Sequence, residues 1–243
     1  MHRFFMEISP ETVSGDLIEI DGEDHQHISK SLRMKPGEGL VLCSGDETEY
    51  VCDIYEISKK HTVARVEKIQ KNQSEMQIKT ILYQGVPKGQ KMETVIQKCV
   101  ELGVDQIVPV ITRRTVVKPA DLDKKTARWN KISQEAAKQS GRGKIPLITE
   151  PVELKGIEEL LKKNALNIVA YENETIGIKE IFSRFSHPER IGIVIGPEGG
   201  FDNCEIKMLE SLGVIAVSLG KRILRTETAG MALLSMIVYQ YEL

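Results

Sequence analysis

Two glycine-bearing loops near the carboxyl end hold the residue types and spacings that could do chemistry. The first is Ile195-Gly196-Pro197-Glu198-Gly199-Gly200-Phe201, the second Leu219-Gly220-Lys221-Arg222-Ile223-Leu224-Arg225-Thr226-Glu227-Thr228-Ala229. Glycines without side chains give the backbone freedom for a sharp turn and let a ligand approach the main chain closely. Neither loop is a common nucleotide motif. G-x-G-x-x-G is absent, and Gly141-Arg142-Gly143-Lys144-Ile145 lacks both the first Gly and the Ser/Thr of a P-loop. A metal site is not indicated. The four cysteines, Cys43, Cys52, Cys99 and Cys204, form no C-x-x-C pair and read as buried reduced thiols. His25 and His27 lack further ligands nearby and read as helix-start or surface residues.

The loops must be held by strands and helices. Ile191 to Ile195 is a short apolar run that suits a strand buried on both faces of a parallel sheet, and it must stop at Pro197. Asp202-Asn203-Cys204-Glu205 has the spacing of a capping box, so a helix starts there and runs to Gly213. Val214 to Leu219 is a second apolar strand, ending at Gly220. Thr226 can cap the helix that follows. That helix, Glu227 to about Tyr241, is apolar almost all round, so its own sheet or a second subunit must cover it. Both loops thus leave the carboxyl ends of parallel strands, where open α/β sheets bind ligands.

The rest of the chain falls into two regions. Residues 1–72 read as short strands with turns: Arg3 to Phe5, Leu17 to Ile20, Leu40 to Cys43, Tyr50 to Ile57 and Thr62 to Ile69. Strands at such spacing predict a small barrel. Lys68 to Gln77 is polar and reads as a linker. From residue 73 to 243 strands and helices alternate, which predicts a mainly parallel sheet with packed helices. Its strands are Ile78 to Tyr83, Gln106 to Ile111 and Leu166 to Tyr171; its helices are Met92 to Leu102, Asp121 to Lys138, Lys155 to Lys163 and Ile178 to Phe185. Gln84 to Gly89 reads as a loop, and Trp129 as a core residue.

With 33 Lys and Arg against 35 Asp and Glu, the net charge of the 243-residue chain is −2. Nucleic-acid contact therefore needs basic residues gathered on one face. Arg33 and Lys35 beside a Pro-Gly turn, Lys88, Arg113, Arg114 and Arg142 are the candidates. Gln139 to Lys144 reads as a flexible basic segment, fit for a phosphate backbone or simply exposed. Arg3 is either an RNA contact or a salt-bridged anchor of the first strand. No run approaches the roughly twenty apolar residues of a membrane span, and Met1 to Pro10 lacks the apolar core of a signal peptide, so a cytoplasmic location is expected.

The motif Gly196-Pro197-Glu198-Gly199-Gly200-Phe201 followed by Leu219 to Ala229 resembles the signature of the RsmE family, small-subunit rRNA uridine N3-methyltransferases of the SPOUT class. The likeness continues upstream through Gln84-Gly85, Lys88-Gly89, Met92-Glu93, Lys98, Glu101-Leu102-Gly103 and Glu135 to Ser140. It reaches the amino terminus in Arg3-Phe4-Phe5, His25-Gln26-His27, Leu32-Arg33 and Lys35-Pro36-Gly37.

The resemblance implies a SPOUT α/β trefoil-knot methyltransferase domain preceded by a PUA-like RNA-binding β-barrel. It implies S-adenosylmethionine bound in a cleft formed by the loop after Tyr171 and the two signature loops. Leu219, Ile223 and Leu224 would wall the adenine, and main-chain groups near Gly196, Gly199 and Gly220 would hydrogen-bond the ligand. Ile195, Pro197, Gly200, Thr226 and Ala229 complete the candidate cofactor set. Glu198, Arg225 and Glu227 are the polar groups expected to converge there. Arg225 would hold the target nucleotide or favour deprotonated uracil, while Glu198 or Glu227 would order the loops or assist proton removal; a structural Arg-Glu pair is the alternative. The expected partners are 16S rRNA, within the small ribosomal subunit, and a second copy in a twofold dimer. A non-catalytic RNA-binding assembly factor, or a methyltransferase with another RNA target, is the competing reading.

Overall fold

A computed structural model of the protein describes residues 1–117 and 123–243. By its contacts the chain divides into two compact units: Met1–Glu75 with Ala137–Ile145, and Met76–Ala136 with Pro146–Leu243.

The first unit is a small curled sheet in the order β1-β3-β4-β5-β2. Its strands are β1 (His2–Phe5), β2 (Leu17–Ile20), β3 (Gly39–Cys43), β4 (Thr48–Ile57) and β5 (Thr62–Lys71), with helix α1 (Gly22–Gln26) continuing into a π turn, His27–Ser31. Only the β1–β3 pair is parallel. Two register shifts in the β4–β5 pairing add local twist and bend the sheet around its apolar face. Phe4, Ile28, Leu40, Leu42, Ile54 and Val66 form the core.

Several expectations for this unit change. The boundary between the units, Glu75 to Met76, falls in the segment expected as a linker, but the first part of that segment is structured: β5 runs on to Lys71, and Asn72 and Ser74 both bond the Gly141 carbonyl. Of the two readings for His25, helix-start or surface, the structure favours the first: it lies in α1 and is buried, with Nδ1 2.9 Å from the Thr62 hydroxyl. Arg3 is an anchor: its guanidinium pairs with Glu49 and reaches Cys43 Sγ. The basic segment Gln139 to Lys144 is neither free nor flexible in its contacts. Arg142 is 3% exposed and ion-paired with Glu75 at 2.6 Å, while the Gly143 and Lys144 amides also donate to Glu75. Two buried opposite charges satisfy one another, which leaves Arg142 no access to phosphate.

The second unit holds a parallel sheet ordered β12-β10-β11-β6-β7-β8, with β9 also pairing β7. The strands are β6 (Lys79–Gly85), β7 (Gln106–Ile111), β8 (Leu147–Ile148), β9 (Val152–Glu153), β10 (Leu166–Ala170), β11 (Arg190–Ile195) and β12 (Ile215–Val217). The helices are α2 (Lys91–Glu101), α3 (Asp123–Ser140), α4 (Glu158–Leu161), α5 (Ile178–Arg184), α6 (Asn203–Ser211) and α7 (Thr226–Tyr241). The start expected for α3, Asp121, lies outside the described residues.

The central strands are continuous apolar runs because helices cover both faces; Ile81, Leu82, Ile193 and Val194 are all buried. β6 extends through Gln84 and Gly85, which were expected in a loop, because both pair with β7 and Gln84 also pairs with Ile195 of β11. Trp129 is a core residue, 2% exposed.

Two features of this unit set up the site. β10 lies between β11 and β12, so the two signature loops flank the end of a third strand. And α6 begins with the expected capping box, Asp202 accepting from the Cys204 amide while Glu205 accepts from the Asp202 amide. Thr226, by contrast, does not cap α7. Arg225 holds the cap position without a side-chain bond, and the Thr226 hydroxyl serves another purpose described below. α7 buries Ala229, Gly230, Leu233, Leu234 and Ile237, while Met236 and Val238 are half-buried and Tyr239 is 75% exposed, so one flank lacks the cover expected for so apolar a helix.

Candidate active site

The carboxyl ends of β10, β11 and β12 enclose two adjoining cavities. The larger, of about 420 Å³, is lined by Ile195, Gly196, Pro197, Glu198, Gly199, Gly200, Arg225, Thr226 and Glu227 among others. The smaller is lined by Tyr171, Leu219, Gly220 and the Lys221–Arg222 pair. Ile223, Leu224 and Ala229 border both. The structure thus gathers all of the candidate cofactor residues and the three candidate catalytic residues at one place. A cavity of this size lies within the roughly 300–1,000 Å³ usual for small-molecule sites.

The main chain forms the floor. A Cβ placed on Gly196 would come within 3.2 Å of the Gly200 backbone, and Gly200 itself has φ +65°. Neither position accepts a side chain without displacing this turn, which leaves backbone rather than side chains facing the space. Thr226 ties the two signature loops together: its hydroxyl donates to the Gly196 carbonyl at 2.6 Å and accepts from Gln84 Nε2 at 2.9 Å.

The charged groups divide by what they already bind. Glu198 accepts from Lys91 Nζ at 2.8 Å and from the Lys88 amide at 3.1 Å, joining the β11–α6 loop to the β6–α2 loop. Burial pushes its carboxyl upward, but the Lys91 ammonium and the backbone donors outweigh this and hold it below the ordinary value. A carboxylate so stabilised is a weak base. Glu227 differs: its Oε2 is buried with no partner among the described residues. An unpaired buried carboxylate oxygen is costly and marks a place where a ligand or a proton can bind. Arg225 is exposed at the start of α7, and no ion pair to Glu198 or Glu227 forms among the described residues, so the structural Arg-Glu pair is not seen.

Outside the cavities the candidate RNA-binding residues scatter. Arg33 and Lys35 are exposed in the first unit, Arg33 with φ 53°. Lys88 is exposed beside Glu198. Arg113 is 64% exposed with Asp202 3.6 Å away, and Arg114 donates to the Gly199 carbonyl, so it braces the glycine turn. Arg3 and Arg142 are held in the ion pairs already described. Sequence reasoning missed Lys91, Glu172, Lys221 and Arg222, which line the cavities too. Glu172 could have been found from its place one residue past Tyr171 at a strand's carboxyl end.

A family model described as an RNA methyltransferase domain matches residues 73–238, and one described as an RNA methyltransferase PUA domain matches residues 20–67. The chain is 35% identical to the ribosomal RNA small subunit methyltransferase E of Bacillus subtilis, covering 100% of this chain and 98% of that one.

The chain belongs to the RsmE family of RNA methyltransferases.

Solved structures of similar proteins agree with the architecture. A ribosomal RNA small subunit methyltransferase E from Neisseria gonorrhoeae bound to S-adenosyl methionine superposes with a TM-score of 0.86 at 30% identity, covering 99% of this chain and 98% of that one. A putative methyltransferase from Legionella pneumophila, in complex with the bound cofactor, gives 0.84 at 34% identity with coverage of 98% and 96%. The chain therefore has the SPOUT α/β fold with an amino-terminal PUA-like sheet that the motifs implied.

The cleft fits such a cofactor on its own chemistry. It offers a backbone-lined floor, apolar walls at Leu219, Ile223 and Leu224, and acidic groups suited to a cationic ligand. Ile223, 85% exposed, is an apolar wall that no described residue covers. Among the described residues no group of three or more His, Cys, Asp or Glu could hold a metal ion, and no helix is long and apolar enough to cross a membrane.

Proposed function

We propose that this protein methylates N3 of a specific uridine in 16S rRNA, with S-adenosylmethionine as donor. The observation that carries the proposal is the convergence of Arg225 and Glu227, whose buried Oε2 has no partner among the described residues, on a cleft with a backbone floor at the ends of β10, β11 and β12. The names of the relatives support an rRNA small-subunit methyltransferase, and the cofactor-bound family structures support the donor.

When bound, the cofactor supplies an activated methyl group whose sulfonium leaves as a neutral thioether after in-line displacement. The chain's task is then orientation and proton removal. Leu219, Ile223 and Leu224 wall the purine, and backbone groups of Gly196, Gly199 and Gly220 fix its polar edge. Ile195, Pro197, Gly200 and Ala229 shape the floor; Tyr171 and Thr226 act from the rim by holding loops together. Tyr171 does so through its amide to Val217 and its hydroxyl to Asn203.

Uridine N3 carries a proton at neutral pH, so a base must take it. Glu227 is assigned that role, because Glu198 is committed to Lys91 and Lys88. Arg225 neutralises the negative charge that develops on the uracil, aided by the positive end of the α7 dipole, itself worth about 0.3–1 kcal/mol. Arg33, Lys35, Lys88 and Arg113 are proposed as phosphate contacts.

Two further expectations belong to this reading. The partly uncovered flank of α7 around Met236 and Tyr239 pairs with a second copy in a twofold dimer; a monomer by sedimentation at micromolar concentration removes it. The enzyme acts in the cytoplasm on the small subunit.

The deciding experiment is nucleoside mass spectrometry on 16S rRNA from cells lacking the protein. Loss of 3-methyluridine, restored by the wild-type gene, is the expected result. Unchanged 3-methyluridine sinks the target assignment, and loss of a different methylated nucleoside redirects it.

A further inference from the structure

Among the described residues Glu172 is the one acidic residue that borders both cavities. It stands two positions past the end of β10, between the two signature loops. Its carboxylate lies against the glycine turn: a Cβ on Gly200 would come within 3.1 Å of Glu172 Oε1. Among the described residues it has neither a hydrogen-bond nor an ion-pair partner. Glu227, whose Oε2 also has no partner among the described residues, lines only the larger cavity, and two other nearby carboxylates are committed. Glu174 accepts from the amides of Thr175 and Ile176, and Glu198 is bound to Lys91.

The loop that bears Glu172 is tied down on both sides. The Tyr171 amide donates to the Val217 carbonyl, and the Ser218 amide donates to the Ile176 carbonyl. The backbone that carries Glu172 is therefore held at the joint between the cavities, and its exposed carboxylate stands there without an ion pair, although Lys221 and Arg222 line the smaller cavity too.

We propose that Glu172 sets the preference of this site for the sulfonium donor over the neutral thioether product, by facing the sulfur of the bound ligand. The inference rests on the proposed function. The ligand has a purine at one end and an amino acid at the other, with sulfur between them. With the purine against Leu219, Ile223 and Leu224, the middle of the molecule falls at the joint where Glu172 stands.

Donor and product share the α-ammonium and the carboxylate, and they differ in charge only at sulfur. When the bond from sulfur to the methyl carbon breaks, its electron pair stays on sulfur and the positive charge is gone. A carboxylate at this point holds the donor and lets go of the product. It is a specificity residue and takes no proton.

Titration calorimetry of the wild type and Glu172→Gln with S-adenosylmethionine and S-adenosylhomocysteine separates the outcomes. The expected result is a loss of about tenfold in donor affinity, or about 1.4 kcal/mol, the scale of one partly screened charge pair. Affinity for the product stays within about twofold, a change of less than about 0.5 kcal/mol, which also shows that the variant is folded. Equal weakening of both ligands places the carboxylate on a group common to both and overturns the proposal, as does no change in either. Failure of the wild type to bind both ligands overturns the proposed function instead.

Discussion

The Thr226 hydroxyl donates to the Gly196 carbonyl at 2.6 Å while accepting from Gln84 Nε2 at 2.9 Å. One side chain at the start of α7 thereby locks the turn after β11 and the end of β6. Thr226→Val keeps the shape and removes both bonds, leaving the Gly196 carbonyl without this donor and Gln84 Nε2 with only its bond to the Gly85 carbonyl. A loss of about 1–3 kcal/mol per unsatisfied buried group is expected by urea denaturation. Thr226→Ser, which retains the hydroxyl, restores most of it; equal loss in both variants would show that the methyl group rather than the bonds matters.

Glu198 is predicted to act on loop order. Glu198→Gln removes the ion pair to Lys91, which is part-exposed and worth about 0–1 kcal/mol, so stability falls little while donor affinity falls more. The sign with pH is fixed. The folded carboxyl sits below its ordinary value of 4.5, so its contribution is full above that value and disappears as pH falls through the lower folded value. The stability gap between wild type and Glu198→Gln, measured from pH 7 downward, should shrink only below about 4.5. A gap that closes above pH 6 contradicts this.

Arg225→Ala and Glu227→Gln are expected to lower single-turnover methyl transfer about 10²–10³-fold, the usual effect of removing one charge stabiliser or base. Donor affinity by calorimetry stays near the wild-type value. Unchanged transfer in Arg225→Ala removes its catalytic role.

The cysteines should react unequally. Burial pushes the Cys52 and Cys99 thiols up to about 12, and Cys43 is buried too, whereas Cys204 is exposed at the start of α6. Because the thiolate is the nucleophile, native protein treated with iodoacetamide at neutral pH should be labelled at Cys204 alone by peptide mass spectrometry. Labelling of Cys99 under native conditions would contradict the buried environment.

Arg142 supplies a contrast between structural and RNA-facing cations. Glu75→Gln breaks the buried ion pair to its guanidinium and should cost about 3–5 kcal/mol. Lys88→Ala and Arg113→Ala should leave stability unchanged and reduce the salt slope of RNA binding by about one each. A salt slope unaffected by either replacement removes that residue from the RNA surface.

The site was legible because its information is local. Glycine spacing, Pro197 as a strand stop and the Asp202 capping box are short-range signals, and each appears where the pattern put it. Long-range pairings were not legible. Periodicity showed β10, β11 and β12 but could not show that β10 lies between the other two, so Glu172 passed unnoticed. Gln139 to Lys144 looked like a mobile basic loop because Glu47 and Glu75 stand far earlier in the chain. Thr226 fits the rule for a helix cap, and only the three-dimensional arrangement reveals that Gly196 claims its hydroxyl instead.

The return of Gly141 to Lys144 to the first unit has a consequence for biosynthesis. Arg142 meets Glu75 across 67 positions, so the emerging amino-terminal sheet must wait for that later stretch to be made. At about 5–20 residues per second the delay is several seconds. Throughout it, Glu47 and Glu75 face water with no counter-ion from Lys144 or Arg142. A recombinant fragment ending at residue 75 would keep that unfinished state permanently, so dissecting this protein by cutting between its units calls for grafting residues 137–145 back onto the fragment.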